Sequence, residues 1–175
     1  MADYTLYDAT VPLLKDILSG LEGILKKGEQ TPNAASLPEA RIFDDMKPLN
    51  FQVIFVTDLC LKWVARATGV DPPTVDRDVN TFAGFYKLIE QARESLDKAD
   101  KDTINKRVNE TVIIGLGPGK DGKMLLRNYW SGYVAPNVFF HVTTAYNIMR
   151  KEGIPLGKMD YLSYFIEKHT EIITS

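Results

Sequence analysis

A chain of 175 residues, 45% hydrophobic and 25% charged, is long enough for one packed domain and too ordinary in composition for a fibrous or disordered protein. Its net charge of −2, with Lys and Arg scattered along the chain, lacks the clustered cations that a nucleic-acid binder needs to neutralise phosphates. No window holds the ~20 continuous apolar residues of a membrane span, and the acidic start MADYTLYDATVPLLKD does not read as a secretory leader, so the expectation is a cytoplasmic protein with a single domain over residues 1–175.

Leu14, Ile17, Leu18, Leu21, Ile24 and Leu25 recur at helical spacing opposite Lys15, Asp16, Glu22, Lys26 and Lys27, which predicts an amphipathic first helix over Thr5 to Lys27. Pro12 should sit early in it or bend it. After a linker with Pro32 and Pro38, a second helix is expected from Pro48 to Thr68, closed by Gly69 and the Pro72-Pro73 pair. It is apolar on nearly every side and so belongs at the centre of a bundle. A third helix, Thr81 to Lys98, carries the stripe Phe82, Phe85, Leu88, Ile89, Ala92 and Leu96. The charged run DKADKDTINKRVNE after it reads as a solvent-facing turn.

The stretch from Gly117 to Gly122 satisfies G-x-G-x-x-G and follows an apolar run, as a dinucleotide loop would. Its context does not fit. The third glycine does not open a long helix, Pro118 lies inside the loop, and no acid occurs between Asp121 and Glu152 to hold a ribose. Two short runs, Thr111 to Leu116 and Lys123 to Asn128, instead flank a turn rich in Gly, Pro and Asp, which is the pattern of a β-hairpin. A fourth helix follows from Ser131 to Lys151, ended by Gly153 and Pro155. In the last segment Tyr161, Leu162, Phe165, Ile166, Ile172 and Ile173 are too apolar for a free tail, so a short C-terminal helix should pack on the bundle or on another subunit. The fold expected is all-α: a four-helix bundle with a hairpin inserted between helices three and four.

The segments LYDATVP, DMKPLNFQV and PNVFFHVTTAYNIMRKEGIPLGKMDYL, with the helical order between them, resemble an uncharacterised bacterial and fungal branch of the DinB-like superfamily, from Leu6 to about Leu162. FHVTTAY, Phe140 to Tyr146, is the most specific piece. The resemblance implies a four-helix bundle, often a homodimer. In many members a divalent metal is held by three histidines, one on helix two and an H-x-x-x-H pair on the last helix, and some are thiol-dependent transferases or hydrolases. This chain departs from that pattern. It has only His141 and His169, helix two has no histidine, and the positions four before and four after His141 are Asn137 and Ala145. No metal and no cofactor are therefore expected.

Polar residues on apolar faces give the candidate site. Asp58 lies in the apolar second helix, where a lone carboxylate is expensive and needs a partner. Asn137, His141 and Thr144 share one face of helix four. The expected solution is that His141, or a tyrosine from Tyr7, Tyr133 or Tyr146, reaches Asp58 across the bundle, making Asp58 and His141 a candidate catalytic pair. Asn137, Thr144, Tyr133, Tyr146, Gln52 and Trp130 are the candidate ligand-binding residues, and a small organic molecule is the expected partner. Three other functions fit the same residues: a cofactor-free acid/base enzyme with His141 as base and a tyrosine as acid, a degenerate metal-dependent transferase or hydrolase, and a dimeric structural or interaction protein. Cys60, amid FVTDLCLKWV, reads as a buried hydrophobe, and the sequon at Asn109 is discounted for a cytosolic chain.

Overall fold

The computed structural model describes residues 4–171 and 173. Helix α1, Leu6–Glu29, opens on a reciprocal cap: the Thr5 hydroxyl accepts from the Asp8 amide, and the Asp8 carboxylate accepts from the Thr5 amide. Pro12 lies inside it. The linker forms a 3₁₀ turn, Ala34–Glu39, whose Leu37 and Pro38 are buried. Helix α2, Leu49–Thr68, starts at Pro48 and ends at Gly69, whose φ of 80° is the left-handed cap that glycine adopts without a Cβ clash. Helix α3, Phe82–Asp97, is capped by the Thr81 hydroxyl.

The charged run after α3 is not a simple turn. It holds a short helix, α4, Lys101–Lys106, capped by the Asp100 carboxylate, because Ile104 within the run is fully buried and pulls one turn onto the core. The strands β1, Thr111–Gly115, and β2, Asp121–Leu125, then pair antiparallel, Thr111 opposite Leu125 and Gly115 opposite Asp121. Gly117 and Gly119 take positive φ in the turn between them, so the glycine-rich stretch leads from strand to strand.

The second strand ends at Leu125, three residues before the expected limit, and the last long helix begins earlier than Ser131. Helix α5, Leu126–Tyr129, runs through a π turn, Trp130–Val134, into α6, Ala135–Lys151. Pro136 accounts for the irregularity: it has no N–H for the carbonyl one turn back, and a widened turn just before it absorbs the loss. The missed part is Leu126–Tyr129, which lies mostly within the run Lys123 to Asn128 that reads as a strand in sequence.

In the bundle α2 packs against α6 and α3, and α1 against α3 and α6. The final helix, α7, Lys158–Ile166, lies on α1, where Gly20 and Gly23 allow close approach: a Cβ on Gly23 would run into the Tyr164 ring. Tyr161 and Phe165 pack against the core, Ile166 and Ile173 are exposed, and Ile172 lies outside the described residues. Cys60 is buried, and burial pushes its thiol up to about 12, so it is inert at neutral pH. No helix among the described residues is long and apolar enough to cross a membrane.

Candidate functional site

Helix α2 meets α6 through Gln52 and His141 at one end and α5 through Arg66 and Tyr129 at the other, so it runs antiparallel to the stretch from α5 to α6, and the seam between them ends under the hairpin. The candidate residues divide between the two ends of this seam.

At the first end His141 is only 9% exposed, and its Nδ1 lies 2.6 Å from Gln52 Oε1. The Gln52 amide is itself oriented, because its Nε2 donates to the Lys47 carbonyl at 2.9 Å. The oxygen must therefore face the imidazole, and this network assigns the proton to Nδ1, which donates to Gln52. Three phenyl rings surround the imidazole: Phe55, Phe140 and Phe51, with centroids 4.2, 5.2 and 6.0 Å away. Burial pulls the His141 pKa down to about 4, so the ring is neutral near pH 7. Nε2 keeps its lone pair and has no hydrogen-bond partner among the described residues.

At the second end Asp58 is buried but does not meet His141, Tyr7, Tyr133 or Tyr146. Its Oδ2 accepts from Lys62 Nζ and from Arg77 Nη2, both at 2.7 Å. The expected contact across the bundle is displaced by a nearer one: Lys62 is one turn along the same helix, and Arg77 arrives from the loop before α3. Arg66, a further turn along α2, donates from Nε to the Ile113 carbonyl of β1 and from Nη1 to the Tyr129 hydroxyl, both at 3.1 Å. A cavity of about 130 Å³ opens here between α2, β1 and the start of the last long helix. Phe55, Asp58, Lys62, Arg66, Tyr129 and Tyr133 line it. Burial pushes the Tyr129 phenol up to about 12 against the lowering pull of Arg66, so it stays protonated.

The other candidates serve different ends. Asn137 donates to the Tyr133 carbonyl at 2.6 Å, and Thr144 bonds back to the Phe140 carbonyl at 2.7 Å, so both spend a donor on their own helix one turn back. Tyr133 lines the Asp58 cavity. Tyr146 does not join the seam; it lines a separate cleft of about 190 Å³ with Thr143, Lys158 and Tyr161. Trp130 is core, its ring 5.2 Å from that of Trp63. Sequence reasoning missed Phe55, Lys62, Arg66, Arg77 and Tyr129. The first three could have been found, since with Phe51 and Asp58 they follow the three- and four-residue spacing of one helix face. A larger trough of about 650 Å³ lies between α2 and α3, but its charged side chains, Glu94, Lys98 and Asp100, all face solvent.

The three-histidine metal centre implied by the sequence resemblance does not fit these residues. Among the described residues no three His, Cys, Asp or Glu side chains converge. His141 is met by an amide and phenyl rings, and Asp58 by two cations that a metal ion would have to displace.

A family model described as a domain of unknown function, DUF1993, matches residues 6–162. Among solved structures, that of a DinB family member protein from Shewanella denitrificans is similar, with a TM-score of 0.79 at 29% identity, covering 90% of this chain and 91% of that one. No curated protein matches the chain.

Proposed function

Since the chain belongs to the DUF1993 family and has a DinB-like bundle fold, we propose that the α2–α6 seam binds a small organic molecule, with His141 as its hydrogen-bond acceptor. The observation that carries this reading is the fixed tautomer. Gln52 engages Nδ1, which leaves the Nε2 lone pair as an acceptor open to solvent or to a ligand, on an imidazole packed among three phenyl rings. Such a corner suits an apolar or aromatic body bearing one O–H or N–H donor.

Acid/base catalysis by His141 is the weaker reading. A base with a pKa of about 4 is free of its proton at pH 7 but accepts one poorly, far from the matched value that efficient proton transfer requires. A metal-dependent transferase lacks the donor set, as described above.

Two probes of nearly equal shape test the reading. Saturation-transfer NMR on the full chain should show phenol binding in preference to toluene, and His141→Phe should remove the preference while keeping the apolar volume. Equal signals from phenol and toluene, or a preference unchanged in His141→Phe, would overturn it.

A further inference from the structure

The cavity at the Asp58 end is rich in donors and short of acceptors. Its lining offers the Lys62 ammonium, the Arg66 guanidinium and the phenols of Tyr129 and Tyr133, against one carboxylate, Asp58. Both ion pairs of Asp58 fall on the same oxygen, Oδ2. The charged residues of the lining, Lys62 and Arg66 against Asp58, leave an excess of one positive charge, and Arg77 from outside the lining shares the Asp58 oxygen with Lys62. Arg66 spends Nε and Nη1 on the Ile113 carbonyl and the Tyr129 oxygen, which leaves Nη2 without a hydrogen-bond partner among the described residues. Tyr129 accepts from Arg66 and remains protonated, so its own hydroxyl hydrogen is available to a ligand. A cation would be repelled here, and a neutral polar group would leave the charge unused. An oxyanion uses all of it, through charge-assisted bonds that arginine makes with particular geometric fit.

Size gives the second constraint. About 130 Å³ admits a head group, well below the several hundred Å³ that enclose a whole ligand. The remainder of any occupant must extend outward, and Phe55 marks the direction, because it lines this cavity and also lies 4.2 Å, ring to ring, from His141. We propose that the cavity receives the anionic head group, a carboxylate or a phosphate, of a small molecule whose apolar body crosses Phe55 toward His141. This rests on the reading of His141 given above. It also gives the hairpin a function: β1 supplies Ile114 and Gly115 as one wall and is tied to α2 through Arg66.

Calorimetric titration of the full chain with benzoate, phenyl phosphate and the neutral benzamide tests the charge requirement. At low ionic strength at least one anion should bind about tenfold more tightly than benzamide, as expected for one charge-assisted bond, and the preferred anion identifies the head group. The preference should shrink in Lys62→Met and Arg66→Met and survive in Lys62→Arg, which separates charge from folding. Equal affinities for all three compounds, or an anion preference that persists in the Lys62→Met/Arg66→Met double variant, would overturn the proposal. The two readings fail separately. Phenol preference without anion preference removes only the anion subsite, and anion preference without phenol preference removes only the role of His141.

Discussion

At one end of the α2–α6 seam the polar groups are neutral and each has an assigned role; at the other they are ionic and shared. Gln52 and His141 are both under 10% exposed, and a single geometry satisfies the amide and one ring nitrogen. Asp58 is equally buried, but its partners Lys62 and Arg77 are 34% and 52% exposed in their side chains, so water reaches the cationic side of each pair. A neutral bond buried on its Nδ1 side, as between Gln52 and His141, loses most of the desolvation cost of a group left unmatched, whereas half-wet cations can rehydrate when their partner goes. The two ends should therefore respond differently to mutation, to pH and to salt.

The largest effect is expected at the neutral end. Gln52→Leu keeps the volume but leaves the buried His141 N–H without an acceptor, and should lower unfolding free energy in urea by about 2 kcal/mol. The double replacement Gln52→Leu/His141→Phe removes both polar partners together and should recover more than half of that loss. Additive costs in this cycle would mean that the two side chains are not energetically coupled.

The same end should respond to acid. His141 has a folded-state pKa of about 4 against an ordinary value of 6.5, so between these values the unfolded chain binds more protons than the folded one. Its contribution is present in full above pH 6.5 and is lost as pH falls toward 4. The urea midpoint of the native protein should thus drop through this window, and His141→Phe should flatten that part of the profile. Parallel profiles for the two proteins would contradict burial of a neutral imidazole.

The Asp58 end should be milder. Asp58→Asn retains the shape, removes two charge-assisted bonds and leaves cations that can turn to solvent, so a loss of about 1–2 kcal/mol is expected in the same titration. A cost above that of Gln52→Leu would invert the comparison.

What the sequence made legible follows from where each signal resides. Helix α2 could be bounded closely because Pro48 and Gly69 act locally on the backbone, and the hairpin because Gly117 and Gly119 meet a local need for positive φ. Helix α4 was missed because a single residue, Ile104, carries its apolar signal within a charged run. The early start of the last long helix is hidden because Leu126 to Asn128 continue the apolar run of the second strand, and nothing local marks where the strand gives way to the helix. The burial of Asp58 and its need for a partner are legible in the apolar helix around it, but the partner is Lys62 at i+4 and not a group across the bundle. The Gln52 to His141 bond spans 89 residues and depends on the register between two helices, which no local spacing encodes.

The smallest effect sharpens the comparison most. Arg77 comes from a loop and is half exposed, and its bond to Asp58 duplicates the one that Lys62 already makes to the same oxygen. Its removal leaves Asp58 still paired, so Arg77→Met should cost about 0–1 kcal/mol, the range of exposed ion pairs. At 1 M salt, where the screening length falls to about 3 Å, that small cost should shrink further. The cost of Gln52→Leu should not change with salt, since no charge is involved. A large, salt-insensitive loss in Arg77→Met would show that the loop cation is sealed against Asp58, and the Asp58 bonds would then be as buried as the Gln52 to His141 bond.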